Sequence, residues 1–128
     1  MERVTGVGGV FFRAADPAGL ARWYATHLGI DPAPASYGDT SWWQQAGTTV
    51  LAPMGHESAH FGGRTRSWAL TFRVTDLDAM VEQLRGNRVA VDVDPQAYPN
   101  GRFASLQDPE GNQLQLWQPD GADRRGPS

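Results

Sequence analysis

Hydrophobic and polar positions follow two rhythms along this chain, and the same succession of rhythms occurs twice. Val7 to Ala14 is an apolar run that breaks at Asp16-Pro17, where aspartate suits a helix cap and proline the first turn. Leu20, Trp23, Tyr24 and Leu28 then recur at helical spacing and Gly29 offers a stop, so the pattern predicts a strand followed by a helix. Trp68 to Val74 is apolar again. Thr75 with Asp78 resembles a capping box, Leu77, Met80, Val81 and Leu84 form a stripe, and Gly86 ends it. Setting Asp16 on Asp76 lays Gly9 on Ala69, Phe11 on Thr71, Arg13 on Arg73 and Leu20 on Met80, a match of pattern rather than identity. Short strand candidates follow each helix: Ala33 to Tyr37, Ser41 to Gln45 and Thr48 to Pro53, then Arg88 to Val93, Arg102 to Leu106 and Gln113 to Gln118. Each half therefore reads β-α-β-β-β.

This grammar divides the chain into module one (about 7–53), a Gly-, Ser-, His- and Arg-containing linker (about 54–66) and module two (about 67–118). Residues 119–128, polar and rich in Gly and Pro, are expected to fray. At 128 residues the whole of 1–118 fits one domain with a sizeable core. The absence of cysteine excludes disulfides, thiolate metal sites and cysteine nucleophiles and suits a reducing cytoplasm. A net charge of −3 without a basic stripe argues against nucleic acid and anionic membranes as partners. With no apolar run of spanning length and no leader-like start, the expectation is a cytoplasmic protein.

The stretch Asp108-Pro109-Glu110-Gly111-Asn112 is a tight turn feeding an alternating strand that puts Gln113, Gln115 and Trp117 on one sheet face. It resembles the end of a module in the vicinal-oxygen-chelate superfamily of glyoxalase I, extradiol dioxygenases and bleomycin-resistance proteins. The two halves resemble that superfamily's paired modules across about Val7 to Gln118. The resemblance implies an α+β fold in which two βαβββ modules form a cupped, half-open mixed sheet with helices on the outside. It also implies modules drawn from one chain or from two partners, so a homodimer is the natural arrangement for this length, side-by-side or exchanged through the linker.

In metal-dependent members one residue on the first and one on the last strand of each module holds the ion. Here those positions correspond to Gly9, Leu51, Ala69 and Gln115. None is an imidazole or carboxylate, and one neutral amide cannot repay a divalent ion's dehydration, so no metal and no cofactor are expected. Sliding the register by two residues still supplies neither group. His56-Glu57-Ser58-Ala59-His60 spells the zinc-peptidase signature H-E-x-x-H, but glycines on both sides leave no room for the helix that motif requires. His27, at a helix end, fits the helix dipole instead.

Alternation then predicts what lines the cup. Phe11 and Arg13 share the parity of Gly9, Thr71 and Arg73 that of Ala69, and Gln113 and Trp117 that of Gln115, with Leu51 and one of Trp42 and Trp43 completing the wall. Five tryptophans suit stacking on a planar apolar ligand. The reading is a metal-free binding protein for a planar apolar metabolite or antibiotic, with no catalytic residue. The alternative is a glyoxalase-like lyase or isomerase, or a dioxygenase-like metalloenzyme, with atypical ligands.

Overall fold

The computed structural model describes residues 1–63 and 65–127; of the linker Arg64, and of the tail Ser128, lie outside the described residues. Helix α1 (Pro17–Leu28) forms where the pattern places it, for the reasons the sequence supplies. Asp16 accepts from Gly19 N at 3.0 Å, proline opens the first turn, and Gly29 closes the helix at φ 69°, a left-handed conformation that glycine adopts without strain. Leu20 and Tyr24, one turn apart, are its buried residues.

The second half builds a complete βαβββ unit from β1 (Leu70–Arg73), α2 (Leu77–Gly86), β2 (Asp92–Val93), β3 (Gly101–Gln107) and β4 (Gln113–Pro119). The sheet order is β1-β4-β3-β2, with β1 parallel to β4 and the other pairs antiparallel. The predicted capping box shifts by one residue. Asp76, not Thr75, caps α2 by accepting from Ala79 N at 3.0 Å, while Asp78 is drawn away into a bidentate pair with Arg102 at 3.0 and 3.1 Å. The helix also runs through Gly86 to stop at Asn87, because Arg88 takes the left-handed turn at φ 63°.

Alternation sorts the sheet into two faces. Ala104, Leu106, Leu114 and Leu116 point to the helices and are buried with Leu20, Tyr24, Leu77, Val81 and Leu84 in one core. Both long helices therefore cover the same face, and Phe72 meets the Tyr24 ring there at 6.3 Å. The opposite, open face carries Thr71, Arg73, Phe103, Ser105, Gln113, Gln115 and Trp117.

The α+β class and the unclosed mixed sheet follow the sequence pattern, but module one departs from it. Among the described residues Val7 to Ala14, Ala33 to Tyr37, Ser41 to Gln45 and Thr48 to Pro53 form no strand. A strand exists only by pairing, and within one chain these segments meet no free partner. Their own helix packs on the second module's sheet, which leaves them no apolar layer to cover. The tail residues 119–127 carry one short element of their own. It winds into a single turn, α3 (Ala122–Arg125), closed by Arg125 N to Gly121 O at 3.1 Å and touched by Thr48, whose hydroxyl donates to Asp123 at 3.2 Å.

Candidate ligand-binding site

Strands β1, β3 and β4 set the open face in register. Thr71 pairs with Gln115 and Arg73 with Trp117 across the parallel ladder, while Ser105 and Phe103 pair with Gln115 and Trp117 on the other side. Two characters result along the strands. At one end the rings of Phe103 and Trp117 are nearly coplanar in orientation, 4° apart with centroids at 6.1 Å, and Tyr98 meets Phe103 edge-on at 5.8 Å. Trp117 is 4% exposed and its Nε1 donates to Asn100 O at 2.8 Å, so its polar atom is satisfied inside the protein. At the other end the face is polar, and the Thr71 hydroxyl donates to Gln115 Oε1 at 3.1 Å.

Over this polar end lies a niche of about 160 Å³ lined by Ala59, His60, Ala69, Ser105, Gln113, Leu114 and Gln115. The linker reaches it through a 3₁₀ turn, Ala59–Phe61, in which Ser58 Oγ accepts from His60 N at 3.2 Å and Gly62 ends the turn at φ 80°. Arg66 fastens the same segment to the turn before β4, donating to Asn112 Oδ1 at 3.1 Å and Glu110 O at 3.3 Å. His60 is thus a lining residue that strand alternation misses. Its signal in the sequence is the Ser58 and Gly62 bracket of a tight turn, not a strand position.

Of the ten residues expected to line the cup, Thr71, Arg73, Gln113, Gln115 and Trp117 come together on the open face. Arg73 is engaged as a strap, donating to Gln45 O at 2.9 Å. Phe11, Arg13, Trp42, Trp43 and Leu51 do not join them. Arg13 is exposed, and Phe11, Trp43 and Leu51 are 95%, 82% and 82% exposed. Trp42, at 37%, is also outside the assembled face, because all five ride on module-one segments without strand partners.

The charged groups that titrate abnormally lie away from the niche. Arg102 beside Asp78 holds that carboxyl below its ordinary range and raises the guanidinium in turn. Asp94 is lowered by the Gln96 N–H and by the Tyr98 hydroxyl, and Tyr98 is raised by the same contact. Burial, reinforced by Asp108, pushes Tyr24 far above the usual phenol range.

The four positions aligned with superfamily metal ligands do not fit an ion. Ala69 and Gln115 both line the niche, Gly9 and Leu51 are exposed, and none supplies a charged or imidazole donor. His56 and Glu57 lie in a turn rather than on the helix that the zinc-peptidase arrangement needs, and among the described residues no three His, Asp or Glu side chains cluster.

Residues 6–116 match the family model of the glyoxalase/bleomycin resistance protein/dioxygenase superfamily. Over 94% of this chain and 100% of the other, the structure resembles TnmS3, an antibiotic binding protein from Streptomyces sp. CB03234, at 22% identity and TM-score 0.60. A glyoxalase/dioxygenase from Nostoc punctiforme is similar over 93% of this chain and 98% of its own, at 20% identity and TM-score 0.54. A glyoxalase/bleomycin resistance protein from Streptomyces sp. CB03234 is 42% identical over 41% of this chain, spanning 46% of that protein's length at TM-score 0.36. No curated protein in the comparison matches. With the family model covering nearly all of both modules, the chain belongs to the glyoxalase/bleomycin resistance protein/dioxygenase superfamily.

Proposed function

We propose that this protein is a metal-free, homodimeric binding protein that sequesters a planar, largely apolar metabolite or antibiotic in the cytoplasm. The observation that carries the reading is the open face itself. The half-buried ring of Phe103, backed by the buried Trp117, adjoins a niche of hydrogen-bonding side chains at the place where metal-dependent relatives keep their ligands. Such a surface offers stacking area and directional contacts without a Lewis acid or a carboxylate base. The antibiotic-binding function of TnmS3 supports the same assignment.

Surface area supports the dimer. The chain exposes 10086 Å², whereas a self-contained monomer of its 14.0 kDa exposes roughly 6,700 Å². The excess is of the scale that permanent assemblies bury. Much of it belongs to module one, where Val7, Val10, Phe11, Phe12, Trp43 and Leu51 stand in solvent. A second copy supplies the strand partners these segments lack, and Phe11, Arg13, Trp42, Trp43 and Leu51 then complete the cup wall.

Elemental analysis of untagged protein, paired with equilibrium dialysis against a panel of planar aromatic natural products, tests the function. The expected result is no stoichiometric metal and saturable binding of at least one compound. One tightly held ion per chain would overturn the metal-free reading, and failure of every planar compound to bind would overturn sequestration.

A further inference from the structure

We propose that His60, Ser105, Gln113 and Gln115 form a seat for the phenolic or carbonyl end of a bicyclic aromatic ligand, with the linker residue His60 making direct contact. The inference rests on the small-molecule reading above. Three features of the niche lead to it.

The first is hydrogen bonding. Thr71 occupies Gln115 Oε1, which leaves the amide nitrogen of this niche-lining residue as its remaining hydrogen-bonding group. Among the described residues the Ser105 hydroxyl, the His60 imidazole and that amide nitrogen take no hydrogen-bond partner, while the nearby Asp108, Asn112 and Arg66 are fully engaged. These exposed or half-buried polar groups, gathered around one concavity, are open to a ligand that both donates and accepts.

The second is charge. Apart from the His60 imidazole, no ionisable side chain among the described residues lines the niche, and Arg73, on the same face, is committed to Gln45 O. A carboxylate or phosphate finds no arginine or lysine there among the described residues, whereas a phenol or a carbonyl finds donors and acceptors of matching strength. The disagreement with the superfamily's metal-binding arrangement is therefore constructive: Ala69 and Gln115 leave the space, and His60 enters it from the linker.

The third is size. At about 160 Å³ the niche is smaller than a whole-ligand site and takes one end of a molecule. The Ser105–Gln115 pair stands two residues along the same face from the Phe103–Trp117 pair, a separation of about 7 Å that two fused rings span. The linker holds His60 at this spot through the Ser58 cap and through Gly62, where a side chain would stand 2.9 Å from Gln113 Oε1.

The test compares 1-naphthol with naphthalene, which share the flat body and differ in the hydroxyl, by equilibrium dialysis with the full chain and with His60→Ala. The expected result is 1-naphthol held roughly two- to tenfold more tightly than naphthalene. In His60→Ala that preference is lost. Imidazole carbon–proton NMR signals of His60 in the unmodified chain shift on saturation with 1-naphthol, a readout of contact that does not depend on the variant folding. Equal affinity for the two compounds, or a preference that survives His60→Ala, overturns the niche and leaves the small-molecule reading standing. Binding of neither compound also overturns the niche, while the small-molecule reading is decided by the panel of planar natural products.

Discussion

The Tyr24 hydroxyl donates to Asp108 Oδ2 at 2.7 Å, tying the helix of module one to the turn that launches the last strand of module two. Asp108 is 4% exposed and also accepts from Glu110 N at 2.9 Å, Asn112 N at 3.0 Å and Asn112 Nδ2 at 2.7 Å. Two residues on, the Glu110 carboxylate accepts from Ala15 N at 2.6 Å and Asp16 N at 3.1 Å, at the start of α1. An acidic group there also complements the helix dipole. The turn that identifies the superfamily in the sequence is, in this structure, a clasp between the two halves.

Tyr24→Phe keeps the ring in the core and removes only the hydroxyl. A buried hydrogen bond to a charged acceptor contributes about 1.5–3 kcal/mol, so urea unfolding of the variant should show a loss in that range with an unchanged slope. An unaltered midpoint would mean the clasp does not hold α1 in solution.

The same contact gives a pH dependence whose sign is fixed by the raised Tyr24 ionisation. The folded state keeps its proton above the ordinary value of 10.0, so the contribution is fully present below that pH. As pH rises past it, the unfolded chain ionises and the folded one does not, and stability falls. Chemical denaturation followed between pH 9 and 11.5, roughly one unit either side of that range's centre, should decline more steeply for the natural chain than for Tyr24→Phe. Parallel curves would show that Tyr24 is not buried as described.

Helix α1 was legible because its determinants are local: Asp16 and Gly29 cap it, and Leu20 and Tyr24 mark its buried stripe. Module two was legible because all its strands pair within about fifty residues, and period-two alternation correctly sets Thr71, Arg73, Gln113, Gln115 and Trp117 on one face. The strands expected in module one are not formed within a single chain. Their alternation records an intended face, but a strand's hydrogen bonds depend on an edge elsewhere, which residue spacing does not reveal. The grip of Glu110 on Ala15 and the arrival of His60 over Gln115 were invisible for a related reason, since both are side-chain encounters set by tertiary packing.

Trp117 and Trp43 separate packing from recognition. Trp117 is buried, stacked beside Phe103 and bonded through Nε1, so Trp117→Ala should cost about 3–5 kcal/mol of stability before any effect on ligand is readable. Trp117→Phe is the variant for binding studies, since it keeps most of the ring area. Trp43 is 82% exposed within one chain, and Trp43→Ala should change the stability of a single subunit by no more than about 0.5 kcal/mol. A large loss from Trp43→Ala in urea melts would place that ring in the subunit interface.

Association of two copies is the arrangement under which the exposed apolar residues of module one become intelligible. Light scattering coupled to size exclusion should return a dimer mass at micromolar concentration, and the thermal midpoint should rise with protein concentration, because the folded subunit is drawn off by association. Phe11 is 95% exposed and Leu51 82%, so a carboxylate at either position is harmless to an isolated subunit and costly inside an apolar interface. Phe11→Asp and Leu51→Asp should therefore shift the mass toward monomer while the circular dichroism of α1 and α2 persists. A natural chain that stays monomeric at high concentration, with a midpoint independent of concentration, would remove the second copy as the source of strand partners and of the missing cup wall.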